Sequence, residues 1–318
     1  MNTEITALEA ARELLAHDNI LIISHQNPDG DTLGAAFALC YALTSLRKHV
    51  RVACPDNLPK RFSYLYHDYK ESDFLESYIV AVDVAALQLF GNLREAYGGK
   101  VDMCIDHHPS NELYAAKTYV RSDVAAACEL IYEVIQSMGA EITPQIANCL
   151  YTGIATDTGC FKFSNTTENT HKVAAELFRL GADYRFINEY LFEIKSKQRI
   201  WIERQAINTM EFFSRDRIAI IHISQEMITS SAVDESELDG IPAIPRSVAG
   251  VMIGITLKEK QDGTQKISVR TTEKVNASKI CAQFGGGGHA RAAGCVIQAD
   301  YQTAKKMLLE ACEAILAE

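Results

Sequence analysis

Four short segments of this chain place acidic or imidazole residues beside an apolar run. His25-Gln26-Asn27-Pro28-Asp29-Gly30-Asp31 follows Leu21-Ile22-Ile23-Ser24, and Asp83 closes Tyr78-Ile79-Val80-Ala81-Val82. Asp106-His107-His108 ends Val101-Asp102-Met103-Cys104-Ile105, and Asp157 stands in Gly153-Ile154-Ala155-Thr156-Asp157-Thr158-Gly159. Carboxylates gathered in one place repel one another unless positive charge holds them, and divalent cations are the usual solution. The chemistry such a set predicts is hydrolysis at two metals roughly 3.5–4 Å apart, which acidify water and clamp the attacking and leaving oxygens. A single Asp after a strand is ordinarily a turn or helix cap. Four clusters at four such ends are not explained that way. Asp157 adds an independent signal, because it falls near the end of an expected helix, where the macrodipole disfavours negative charge.

The elements that must position these side chains are legible in the apolar pattern. Short strands alternate with helical stretches over the first half, the sign of a parallel sheet with crossovers. Strands are predicted over 21–24, 50–53, 79–82 and 101–105, and helices over 33–46, 125–138, 144–156 and 168–180. Ligands at the carboxyl ends of parallel strands face the crevice where loops diverge. Pro28 and Gly30 are expected to shape a tight loop carrying Asp29 and Asp31. From residue 217 the pattern turns strand-rich (218–223, 251–257, 267–271), with a hairpin signal at Gln261-Asp262-Gly263 and helices over 277–284 and 303–316. The expected architecture is α/β: a parallel-sheet domain over 1–184 with helices on both faces, one long connector helix over 185–214, and a smaller α/β domain with a mixed sheet over 215–318.

Composition narrows the function. A chain of 318 residues, 47% apolar and 23% charged, has the length and balance for two globular cores. No apolar run nears the roughly 20 residues that span a bilayer, so no membrane role is expected. The nine cysteines are scattered and never spaced C-x-x-C, as for small buried side chains in a reducing cytoplasm. A net charge of −10 argues against tracking long nucleic acid, whose affinity comes from many Lys/Arg–phosphate contacts. Yet residues 240–292 hold eight basic residues (246, 258, 260, 266, 270, 274, 279, 291) against three acids (259, 262, 273). That local excess suits a small anionic ligand; a solvated charged face is its plainer reading.

In order and spacing, these segments resemble the four metal motifs of the DHH-family phosphoesterases, whose namesake triplet is Asp106-His107-His108. The segment Gly285-Gly286-Gly287-Gly288-His289-Ala290-Arg291-Ala292-Ala293-Gly294 resembles that of the DHH-associated domain. The likeness spans essentially the whole chain and is greatest to the two-domain nano-RNases that also dephosphorylate 3′-phosphoadenosine 5′-phosphate. It implies one cation held by His25, Asp29 and Asp83 and a second held by Asp31, Asp83, His107 and Asp157, with Asp83 shared. It further implies that His108 faces the scissile phosphate, that Asp106 orients His107, and that a hydroxide between the metals attacks. Carboxylate and imidazole donors without thiolate favour Mn2+, with Mg2+ or Co2+ as alternatives.

The same resemblance gives the second domain phosphate and nucleotide recognition, through Arg270, the backbone N–H groups of Gly286, Gly287 and Gly288, and His289. Arg270 also falls on the polar face of its strand by period-two alternation. Four glycines after a helix are otherwise only a cap and loop. Arg291 reads as a solvated arginine. The expected substrates are short RNA and 3′-phosphoadenosine 5′-phosphate, engaged across a cleft that closes on a hinge, in a cytoplasmic homodimer. Linear pApA, cyclic di-adenylate and pyro- or polyphosphate keep the mechanism and change the substrate. A non-catalytic nucleotide sensor is the alternative from another class, and degraded metal motifs would mark it.

Overall fold

Strand β2 (Ile20–Ile23) is apolar and fully buried along its length, which fits a central parallel strand covered on both faces. A computed structural model, describing residues 2–238 and 240–317, places it so. The first sheet comprises β1 (Thr3–Glu4), β2, β3 (Val50–Ala53), β4 (Tyr78–Val82), β5 (Met103–Asp106) and β6 (Lys117–Val120). Its order is β1-β6-β5-β4-β2-β3, parallel throughout. Ile20 and Ile22 point into one core while Leu21 and Ile23 point into another, as the two-residue period requires.

The larger core is roofed by α1 (Ala7–Ala16), α2 (Gly30–Ser45), α5 (Ala127–Met138), α6 (Pro144–Asp157) and α7 (Glu168–Arg179), with α3 (Ser63–Tyr66) a single turn at its edge. The opposite face is closed by a 3-10 stretch over Leu87–Leu93 and the single turn α4 (Arg94–Tyr97). Helix starts follow from their caps. Thr6 and Glu9 form a capping box on α1, and Thr143 caps α6 ahead of Pro144. Gly139, at φ 70°, stops α5. The strands β1 and β6 are absent from the sequence reading, because Thr3-Glu4 and Lys117-Thr118-Tyr119-Val120 lack the apolar run that marked the other strands.

The connector differs from the single long helix expected over 185–214. The chain forms α8 (Tyr184–Asn188), a π turn over Glu189–Glu193, an extended Ile194, and α9 (Lys197–Asn208), which Ser196 caps. Apolar residues at helical spacing could not reveal the extended residue. The chain divides into two compact units between Ile194 and Lys195.

The second unit has the mixed sheet β11-β12-β10-β9-β8-β7. Its strands are β7 (Glu211–Phe213), β8 (Ile218–Ile223), β9 (Ile253–Glu259), β10 (Gln265–Thr271), β11 (Gly287–Gly288) and β12 (Ala292–Ile297). Only β8 and β9 pair in parallel. The β9–β10 hairpin turns at Gly263 (φ 79°), where the Asp-Gly signal placed it. Helices α10 (Gln225–Ser231), α11 (Ala277–Ala282) and α12 (Tyr301–Ala317) complete the unit. Among the described residues no helix is long and apolar enough to cross a membrane.

Candidate metal centre

Strand ends and helix ends of the first unit bring the predicted side chains together. His25 Nε2 lies 3.7 Å from Asp29 Oδ1 and 3.6 Å from Asp83 Oδ2. His107 Nε2 lies 3.8 Å from Asp31 Oδ2, 3.5 Å from Asp83 Oδ1 and 3.3 Å from Asp157 Oδ2. Two groups of ligand atoms, His25–Asp29–Asp83 and Asp31–His107–Asp157, are each compact enough to hold an ion. The oxygens of Asp83 face one group each, and Asp83 with His107 and His108 makes a third such group.

Each candidate ligand is fixed by its local structure. Asp29 is the N-cap of α2, its Oδ1 accepting from the N–H groups of Asp31 and Thr32 at 3.0 and 3.1 Å. Asp31 therefore sits in the first turn of α2, not on a loop. Gly30 serves close packing instead of a turn: a Cβ there would lie 2.4 Å from Thr156 Oγ1. Fully buried Asp31 accepts from Ala127 N–H at 2.6 Å and Cys128 N–H at 3.0 Å, so its carboxylate caps α5 from a distant segment. Asp83 adopts φ 57°, a left-handed conformation costly for a non-glycine residue and common at functional sites.

Asp106 departs from its expected part. Its Oδ1 accepts from His108 Nδ1 at 2.8 Å and from the backbone N–H groups of His107 and His108; its Oδ2 accepts from Asn111 Nδ2 at 2.6 Å. The ring it orients is His108, not His107, because the turn after β5 swings the second histidine back over the carboxylate. Asn111 escaped the sequence reading, since nothing in Pro109-Ser110-Asn111 marks its amide as aimed backward. Gly153 escaped too. A Cβ there would meet Asp31 Oδ1 at 2.5 Å and Cys128 Sγ at 2.3 Å, and an isolated glycine in an apolar helix was the available signal.

The electrostatics ask for positive charge. Burial, with Asp83 and Asp157 adding, drives the Asp31 carboxyl well above its usual range, and burial and Asp29 push Asp83 the same way. Asp157 is raised to about 6 by burial. Burial opposes charge on His25, but Asp29 and Asp83 outweigh it and lift the imidazole to about 12. His107 is raised to about 10 by Asp157, Asp31 and Asp83, likewise against burial. Asp83 Oδ1 and His107 Nε2 are buried without a hydrogen-bond partner among the described residues, which is costly unless something else satisfies them. Orphaned acceptors on a carboxylate and an imidazole fit divalent cations bound by oxygen and nitrogen.

In the second unit, Arg270, Gly287 and Gly288 line a pocket of about 630 Å³, together with Lys266 and Ser268 from the same strand face. Gly286 does not serve as expected: its N–H is donated to Cys281 O at 3.0 Å, and a Cβ would strike Gly294 O at 2.2 Å. The His289 backbone N–H is likewise spent on Ala292 O at 2.8 Å. The last two glycines of the run form strand β11 against β12, so close approach dictates part of its composition. Arg291 pairs with Glu273 at 3.1 Å.

The model of the DHH family N-terminal domain matches residues 19–154, and that of the DHHA1 domain matches residues 221–318. A bifunctional oligoribonuclease and PAP phosphatase NrnA of Thermus thermophilus is 30% identical over 297 residues, covering 92% of this chain and 88% of its own. The chain belongs to the DHH family. It is accordingly a metal-dependent phosphoesterase, built from a DHH unit and a DHHA1 unit. The NrnA of Bacillus subtilis is 27% identical, covering 91% of this chain and 92% of its own. The crystal structure of an exopolyphosphatase-related protein from Bacteroides fragilis matches with a TM-score of 0.87 at 25% identity, covering 97% of this chain and 96% of that one.

Proposed function

We propose that this DHH phosphoesterase is Mn2+-dependent and hydrolyses short oligoribonucleotides to mononucleotides and 3′-phosphoadenosine 5′-phosphate to AMP. The observation that carries the reading is the pair of adjoining ligand groups around orphaned Asp83 Oδ1 and His107 Nε2. The two relatives named as oligoribonuclease and PAP phosphatase, matched over nearly their whole length, support this choice of substrates. The four carboxylates of Asp29, Asp31, Asp83 and Asp157 balance two dications, which when bound supply Lewis-acid activation of water and of the phosphoryl group.

The chain's own residues do the rest. His25, Asp29 and Asp83 would hold one ion, and Asp31, Asp83, His107 and Asp157 would hold the other. Asp106 accepts from His108 Nδ1, which fixes that tautomer and keeps the ring charged more readily; burial opposes this, and Asp106 and Asp83 prevail. His108 then stabilises negative charge developing on the phosphoryl oxygens. Arg270, with Gly287 and Gly288 beside it, recognises a substrate phosphate in the second unit. The reading includes a homodimer in the cytoplasm.

The test is hydrolysis of pApA, 2- to 5-mer RNA, 24-mer RNA, 3′-phosphoadenosine 5′-phosphate and pyrophosphate with Mn2+ or with chelator. The short nucleotides should be cleaved only with metal. Equal rates on 24-mers and 2- to 5-mers, or turnover of pyrophosphate alone, would overturn the substrate assignment. The second outcome would favour the inorganic-phosphate reading suggested by the exopolyphosphatase-related structure.

A further inference from the structure

Two of the candidate ligands, Asp31 and Asp157, lie on different helices yet are braced by one set of hydrogen bonds. After Asp157 the chain abandons the helix for a left-handed turn through Gly159, Cys160 and Phe161, with φ of 55°, 59° and 62°. In a continued helix the Phe161 N–H would serve Asp157 O; here it bonds Thr158 Oγ1 at 2.9 Å. Asn165 takes over, its Nδ2 donating to Asp157 O at 3.1 Å and to Ala125 O at 3.2 Å. An amide nitrogen carries two hydrogens, so both carbonyls are served at once.

Ala125 belongs to the turn that opens α5, the helix whose Ala127 and Cys128 N–H groups hold the Asp31 carboxylate. The same turn is secured by Glu129, fully buried, whose carboxylate accepts from Ala125 N–H at 3.0 Å, Thr170 Oγ1 at 2.8 Å and Asn169 Nδ2 at 2.9 Å. The segment after Asp157 is thus stitched to the segment that holds Asp31. None of these bonds reaches His25, Asp29 or Asp83.

We propose that Asn165 is a positioning residue that sets the separation of Asp31 and Asp157 and so selectively supports the cation held by Asp31, His107 and Asp157. This rests on the two-cation reading above. Removing groups that orient metal ligands typically weakens binding about 10- to 100-fold. Because Asn165 is exposed, Asn165→Ala should fold normally.

The experiment is calorimetric titration of the full-length wild type and Asn165→Ala with Mn2+ alone, with melting in chelator measured in parallel. The wild type should take up two ions. The variant should bind one ion as the wild type does and the other about 10- to 100-fold more weakly, with a chelated Tm lowered by no more than about 10 °C for the two hydrogen bonds lost. Unaltered binding of both ions, equal weakening of both, or a chelated Tm lowered by more than about 10 °C would overturn the proposal. A wild type that binds fewer than two ions would instead remove the two-cation reading beneath it.

Discussion

Replacing Asp157 by Asn should make the metal-free protein more stable while abolishing its function. The side chain is 25% exposed, and burial lifts its pKa from 3.8 to about 6. An acid whose folded pKa exceeds its unfolded value costs stability as pH rises through that window, and the full cost persists above it. A shift of that size corresponds to about 3 kcal/mol, and the shared titration of neighbouring carboxylates reduces what one substitution recovers to about 1–3 kcal/mol. For a unit of this length the gain is roughly 2–4 °C per kcal/mol, or about 2–12 °C. Asn keeps the shape and the neutral form's interactions, so it should collect most of that gain. Melting at pH 7.5 in chelator should therefore rank Asp157→Asn above wild type, with the gap closing toward pH 4. Saturating Mn2+ should reverse the order, since ligand at about 1,000 times its Kd adds about 4.1 kcal/mol to a protein that binds it. A variant less stable than wild type in chelator at pH 7.5 would refute the electrostatic reasoning. One retaining Mn2+-dependent turnover would refute the role of Asp157.

Other expectations follow from the same geometry. Gly153→Ala should destabilise by about 1–3 kcal/mol in urea unfolding and weaken Mn2+ binding, because its methyl group would push on Asp31; unchanged stability would contradict the contact. Asp83→Asn and Asp83→Ala should both lack phosphoesterase activity, but Ala should be the less stable by about 1 kcal/mol, since Asn accepts the left-handed backbone. Equal melting temperatures would count against strain at that residue. His25 and His107, raised to about 12 and about 10, carry protons near neutrality until metal arrives. Mn2+ binding should then release protons and strengthen as pH rises, which calorimetry in buffers of different ionisation enthalpy would register; no proton release at pH 7.5 would refute the protonated state of these imidazoles in the metal-free protein.

The sequence by itself determined the phosphoesterase class and the class of fold. Candidate ligands were readable because one carboxylate at the end of an apolar run is ordinarily a turn or cap, whereas four such ends together ask for a common cause. The alternation of strands and helices was readable because burial imposes periods of 2 and 3.6 on side chains whatever the fold around them. Tertiary structure alone decided how those residues are held. Asp31 is capped by N–H groups nearly a hundred positions away, Asp106 turns to His108 instead of His107, Gly153 leaves the space Asp31 occupies, and Gly286 spends its N–H on Cys281. Periodicity records which face of an element is buried, but not which distant element it meets. The direction of a hydrogen bond, the break at Ile194 and the room beside a glycine are settled only when those elements pack.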